Sequence, residues 1–176
     1  MKRSFLGFIV LLTILSACSA VQSIIRSTFP YTASLLVPKT DKIDTVLSVG
    51  SQASTFDQIF SGYGSNTKAI KNVRLASVKV DTNAPVGQSF GVFKSLKIYI
   101  SRGDSNKELL IASRNEISPT VGSSIMLDAD NTLLLDDFIK GATVRIRMEY
   151  ELRNSISTDI NMKASLALSV SSNSLK

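Results

Sequence analysis

Val144-Arg145-Ile146-Arg147-Met148-Glu149-Tyr150-Glu151-Leu152-Arg153, and after the turn Ser155 to Asp159 the run Ile160-Asn161-Met162-Lys163-Ala164-Ser165-Leu166-Ala167-Leu168-Ser169-Val170, decide the fold class. In both runs every second residue is apolar, and in the first the residues between are all charged. A period of two places those apolar side chains on one face of an extended chain, as a half-buried strand requires; a helix would repeat at 3.6. Matching the apolar faces of a hairpin pairs Leu152 with Ile160, Tyr150 with Met162 and Met148 with Ala164, and sets Glu149 opposite Lys163. A slip of two residues keeps the faces, whereas a slip of one buries the arginines and glutamates.

Upstream the same period recurs in shorter pieces. Tyr31 to Val37, between Pro30 and Pro38, reads as a first edge strand, and Ile43 to Val49, ending at Gly50, as a second. Ile70 to Val80 reads as a long strand whose alternation slips near Leu75-Ala76, the mark of a β-bulge, and Asn83-Ala84-Pro85 ends it. Leu96, Ile98 and Ile100 alternate, Arg102 to Glu108 turns, and Leu109 to Ser113 returns as a hairpin; Ser123 to Leu127 is a further strand. Helical spacing appears three times: over Phe56, Ile59, Phe60 and Tyr63, behind a Ser54 or Thr55 cap; over one turn at Phe90 and Phe93; and from an Asp130 or Asn131 cap to Ile139, stopped by Gly141. The expectation is an all-β protein: an antiparallel β-sandwich of about seven or eight strands with one or two short helices, preceded by an N-terminal signal helix. The strands are not separated by the long crossovers that a parallel sheet needs.

The first residues are of a different kind. Lys2 and Arg3, the apolar run Phe5 to Leu15 and the small residues before Cys18 have the order of a secretory signal. Leu15-Ser16-Ala17-Cys18 resembles the lipobox of bacterial lipoproteins, which implies a diacylglycerol on the Cys18 sulfur, cleavage before Cys18 and acylation of the new amino terminus. One acyl chain holds a protein to a bilayer only marginally, and two or more hold it stably. Three segments follow: a signal peptide over 1–17, a lipidated tether over 18–30 and a sandwich domain over 31–176.

Composition excludes several chemistries. Without histidine there is no Ser-His-Asp triad, no Cys-His pair and no His-bearing zinc site. One cysteine, at the lipobox, leaves no intrachain disulfide or thiolate metal site, so stability rests on packing. The absence of tryptophan argues against the usual sugar-stacking groove. The net charge of +6 falls to +4 once Lys2 and Arg3 are removed, and the excess is scattered, with no basic run or aromatic-interleaved patch for nucleic acid.

Three blocks along the domain, Asn66-Thr67-Lys68-Ala69-Ile70-Lys71-Asn72-Val73-Arg74-Leu75, then Phe93-Lys94-Ser95-Leu96-Lys97-Ile98-Tyr99-Ile100-Ser101, then Leu127-Asp128-Ala129-Asp130 with Asp137-Phe138-Ile139-Lys140, resemble a family of lipoproteins from Bacteroidetes. The resemblance implies a β-sandwich behind a lipid anchor and carries no activity or catalytic residue with it. Ser19 to Gln22 lacks the acidic residues that resemble a surface-export signal in such bacteria, so the expected place is the outer membrane, facing the periplasm.

Few side chains suggest chemistry. Asp128 and Asp130 have calcium-loop spacing, but an EF-hand wants glycine and a carboxylate where this chain has Leu133 and Ile139; they are weak metal candidates beside a strand end and a cap. Asp136 and Asp137 are neighbours that point apart on a helix, unlike a glycosidase pair. Ser65-Asn66-Thr67-Lys68 lacks the further motifs of serine-lysine enzymes, and Arg102-Gly103-Asp104 is good turn chemistry. Arg145, Arg147, Glu149, Glu151 and Arg153 form a charged face able to meet an envelope protein or an anionic glycan. The expectation is a non-enzymatic envelope lipoprotein without a cofactor, bound to the membrane through Cys18 and acting as a structural or binding module. The alternatives are a carrier of an apolar ligand between the sheets and a carboxylate-based hydrolase.

Overall fold

A computed structural model describes residues 27–52, 54–55, 71–103, 107–139 and 143–171. The signal and lipobox with Cys18, most of the tether, the helix expected from Phe56 to Tyr63, Ser65 to Lys68, Asp104 and Gly141 lie outside the described residues. The rest is all-β and antiparallel. Its strands are β1 (Ser27–Val37), β2 (Val46–Gly50), β3 (Ser54–Thr55), β4 (Lys71–Ala84), β5 (Phe93–Arg102), β6 (Glu108–Arg114), β7 (Ser124–Ala129), β8 (Thr143–Leu152) and β9 (Ile160–Ser171).

They run in the order β1-β9-β4-β7-β6-β5-β8-β2, with β3 also on β8. The turn from one layer to the other is the short β6–β7 pairing, Ala112 with Ala129 and Ser113 with Asp128. Layer one is therefore β1-β9-β4-β7 and layer two β6-β5-β8-β2. The pairs are nested: β1 with β9, β2 with β8, β4 with β7 and β5 with β6. That nesting is the jelly-roll arrangement of a two-layer sandwich, which leaves few free edges.

Each strand earns its place by alternation. Tyr31, Ala33, Leu35 and Val37 of β1, Val144 to Leu152 at every second position of β8, and Ile160 to Val170 likewise in β9 are all buried. β4 carries the expected bulge: the register slips between Leu75 and Ser77, so Leu75 and Val78, three apart, both point inward. A second slip, between Ile98 and Tyr99 against β6, lets the adjacent Ile111 and Ala112 both be buried. The single turn at Phe90–Val92 is a 3₁₀ turn capped by Ser89, whose hydroxyl accepts from the Gly91 N–H at 2.9 Å. Phe90, Phe93 and Tyr150 stack through tilted and edge-on contacts, each 5.9 Å between centroids. Gly91 has no room for a side chain: a Cβ there would stand 2.0 Å from the Pro119 carbonyl oxygen.

Several expectations are corrected. The second strand begins at Val46 instead of Ile43, which is exposed, and Ser54 and Thr55 pair with Val144 and Thr143 as a strand instead of capping a helix. β8 and β9 do not form a hairpin, so Leu152 does not face Ile160 and Glu149 does not face Lys163. Leu152 pairs with Phe93, and Ile160 with Val37; Glu149 pairs with Ser48 and Lys97, and Lys163 with Ser34 and Asp81. The connection crosses between layers because it is held on the way: the Arg153 N–H donates to the Val92 carbonyl at 2.7 Å, and Thr40 and Ile156 exchange two backbone bonds of 3.0 Å. Alternation reports which face is inside, and in a sandwich both layers turn apolar faces inward, so it leaves the neighbour undetermined. The helix from the Asp130 cap is also shorter, Asp136–Ile139 only, because Asp130 closes a local turn at Thr132 instead.

Candidate functional site

The charged face lies on the outside of layer two, as β8 alternation requires, but its five members do different things. In the middle, the Arg147 guanidinium donates through Nε to both Glu108 oxygens at 2.9 Å, through Nη2 to Glu108 Oε2 at 2.6 Å and through Nη1 to Glu149 Oε1 at 2.8 Å. It also lies 4.2 Å from the centroid of the Tyr99 ring, a cation–π contact, while the Tyr99 hydroxyl donates to Glu149 Oε2 at 2.9 Å. β5 and β8 pair Tyr99 with Arg147, which brings the ring and the guanidinium together. The hydrogen bond from Arg147 holds the Glu149 carboxyl below its ordinary value, and the bonds to Glu108 and Glu149 push Arg147 up. Burial, and then the bond to Glu149, raise the Tyr99 phenol. The unit is a closed network of one guanidinium, two carboxylates and a phenol.

Toward the end of the sandwich carrying the β5, β6 and β8 turns onto residues 94, 115 and 153, the outer face is hollowed into an open groove of about 640 Å³. Lys97, Glu149 and Glu151 lie along it, and the loop Asn115 to Pro119 walls it. Lys94 bonds to Asp44 and lies 3.7 Å from Glu151, which raises its ammonium. Arg153, expected on the solvated face, is turned into the wall: it donates to the carbonyls of Gly91 at 2.5 Å, Phe93 at 3.1 Å and Ile117 at 2.6 Å. At the other end of the strand, Arg145 is exposed beside a smaller cleft of about 320 Å³.

The two weak metal candidates have protein partners. Asp128 accepts from Arg114 Nη1 with both oxygens at 3.2 Å, and Asp130 accepts from the Thr132 N–H at 2.9 Å and hydroxyl at 2.6 Å, which lowers its carboxyl. Among the described residues no group of three or more His, Cys, Asp or Glu side chains is placed to hold a metal. No described helix is long and apolar enough to cross a membrane. Sequence reasoning missed Tyr99 and Glu108. Tyr99 is legible only as an outward position of β5, and Glu108 only once the β5–β6 hairpin is in register.

The sequence matches no family model and no curated protein sequence. Among solved structures, the chain is similar to one titled as the Nora virus structure, with 17% identity, a TM-score of 0.35 and coverage of 83% of this chain and 60% of that one. It is also similar to Tomato Aspermy Virus, with 14% identity, a TM-score of 0.33 and coverage of 97% and 98%. A third similarity is to empty-head Turnip Yellow Mosaic Virus, with 12% identity, a TM-score of 0.30 and coverage of 85% and 84%. The chain thus spans about 60% of the Nora virus chain it matches.

Proposed function

We propose that this chain is a lipid-anchored lipoprotein of a bacterial envelope, resembling those of Bacteroidetes, whose sandwich is a non-catalytic binding module. Cys18 carries the lipid, the outer membrane facing the periplasm is its place, and the outer face of layer two meets an envelope protein or glycan. The observation that carries the binding reading is the groove over Lys97, Glu149 and Glu151, whose floor and wall are ordered in advance by the Arg147 network and the Arg153 bonds. A surface held by its own contacts gives up little side-chain freedom when a partner arrives. Among the described residues the carboxylates that converge in pairs are committed to cations, Glu108 and Glu149 to Arg147 and Asp44 and Glu151 to Lys94, ion networks rather than an acid and a base awaiting substrate. The buried apolar side chains of both layers join in one cluster, which favours binding on the surface over carriage between the sheets.

Two measurements test the two halves. Labelled fatty acid should enter the wild-type chain and not Cys18→Ser, and the variant should leave the membrane fraction; unchanged retention overturns the anchor. A photo-crosslinker at Lys97 should trap an envelope component that the same group at Ser165, on the outside of layer one, does not. Equal trapping from both sites overturns the face.

A further inference from the structure

The two layers of the sandwich end on different kinds of edge. β1, outermost in layer one, carries Pro30, and Pro38 follows it. Proline blunts an edge because it offers no N–H to a neighbouring strand. β2, outermost in layer two, has neither proline nor charge, and Thr45 to Gln52 is uncharged throughout. The Ser51 N–H donates to the Ile146 carbonyl at 2.7 Å, so the odd-numbered residues of β2 bond to β8, and Val46, Ser48 and Gly50 turn their N–H and carbonyl groups out of the sheet. Those groups have no partner among the described residues.

The sequence of this edge is complementary to itself. Laid antiparallel about Ser48, two copies set Ser48 opposite Ser48, Val46 opposite Gly50 and Leu47 opposite Val49. Val46 is 66% exposed, and in that register it lies where a glycine leaves room. Leu47 and Val49 are half-buried, packed on the core from its open side, and the pairing covers them with the partner copy's own apolar pair. Charge favours the same direction. At the Val46 end Asp44 and Glu151 share one cation, Lys94, and at the Gly50 end Arg145 is exposed, with no acidic partner among the described residues. An antiparallel copy sets acid end against basic end, whereas a parallel copy sets like against like.

We propose that β2 pairs antiparallel with β2 of a second copy of this chain, joining the two layer-two sheets into one. The two-fold axis stands perpendicular to that sheet, so both grooves open on the same side. Five paired residues bury less than a stable interface of roughly 1,200 Å², so the pair is transient and forms where copies are concentrated. Copies held through Cys18 in one membrane are concentrated in this way, and that condition rests on the lipid anchor proposed above. Two grooves on one side let a repetitive partner engage both at once.

Cysteine crosslinking in the membranes of the producing cell tests the register, since Cys18 is the chain's one cysteine. Under mild oxidation Ser48→Cys should bridge to itself, because directly opposed residues on the two-fold axis stand within disulfide reach. Val46→Cys and Gly50→Cys should each stay unbridged alone and bridge when produced together. Val46→Lys with Gly50→Lys, which sets like charges opposite one another at two exposed positions, should lower the Ser48→Cys bridged fraction about tenfold while the chain keeps its circular dichroism. No bridge from Ser48→Cys, or equal bridging at all three positions, overturns the pairing. A photo-crosslinker at Ser48 that traps another envelope protein and no second copy makes the edge a site for a foreign strand and overturns it as well. Fatty-acid labelling separates this reading from the anchor. A labelled chain left unbridged overturns the pair and keeps the anchor, whereas an unlabelled chain overturns the anchor, and the pair then stands or falls on bridging of the purified Cys18→Ser, Ser48→Cys chain at high concentration.

Discussion

Arg153 should be the most costly surface charge to remove. Arg153→Met keeps the aliphatic stem, and with it the packing along the wall, while deleting the bonds to the Gly91, Phe93 and Ile117 carbonyls. A hydrogen bond from a charged donor contributes about 1.5–3 kcal/mol, but the three share one side chain and the open groove lets water reach the freed oxygens. The expected loss is therefore about 3 kcal/mol rather than the sum. For a domain of this size that lowers the midpoint by roughly 6–12 °C. Urea unfolding followed by far-ultraviolet circular dichroism should show a lower midpoint with an unchanged slope, since the buried area is the same. Arg153→Lys, able to reach one carbonyl at most, should fall between. A Met variant within about 0.5 kcal/mol of wild type, the range of ordinary surface changes, would refute the assignment and return Arg153 to a solvated face.

Gly91→Ala should destabilise by about 1–3 kcal/mol in the same assay, because its Cβ meets the backbone of Pro119 and not a side chain that can swing away. Leu168→Ala, fully buried in β9, should cost about 2–5 kcal/mol, and a loss under 1 kcal/mol would contradict its place in the core. Glu149→Gln should cost stability at neutral pH. Its folded carboxyl lies below the unfolded value near 4.5, so the contribution is present above that pH and lost as pH falls through the folded value. The gap between the two proteins should close in acid, and a gap that widens there would overturn the sign. In a Cys18→Ser background, Ser34→Cys with Lys163→Cys should oxidise to a crosslink and Glu149→Cys with Lys163→Cys should not, since Ser34 and Lys163 are direct partners and Glu149 is in the other layer. The reverse result would restore the hairpin.

Which side chains face inward was legible in most strands: the alternation of β8 and β9, the slip at Leu75-Ala76 and the turn at Phe90 appear where the residues put them, whereas Ile43 and Val46 of the expected second strand are exposed. Which strands are neighbours was not. Val144 to Val170 has the same pattern whether its halves pair in one layer or face each other across the interior. What separates the cases is a handful of non-local bonds at Val92, Thr40 and Ile156, residues with no distinguishing sequence. The charged face was legible as a face, whereas its division was not. Arg153 differs from Arg145 by the carbonyls that Gly91, Phe93 and the 115–119 loop offer it, and that loop is placed by the Gly91 and Ile117 contacts rather than by local propensity.

The position of β9 between β1 and β4 has a kinetic corollary. β9 is the strand on which both β1 and β4 close, so the first layer cannot be completed before residues 160–171 have been made. Closing that layer waits on pairing between residues more than a hundred positions apart, the kind of distant contact that slows folding. Cutting the gene short by that one strand should leave a chain that aggregates instead of a smaller domain.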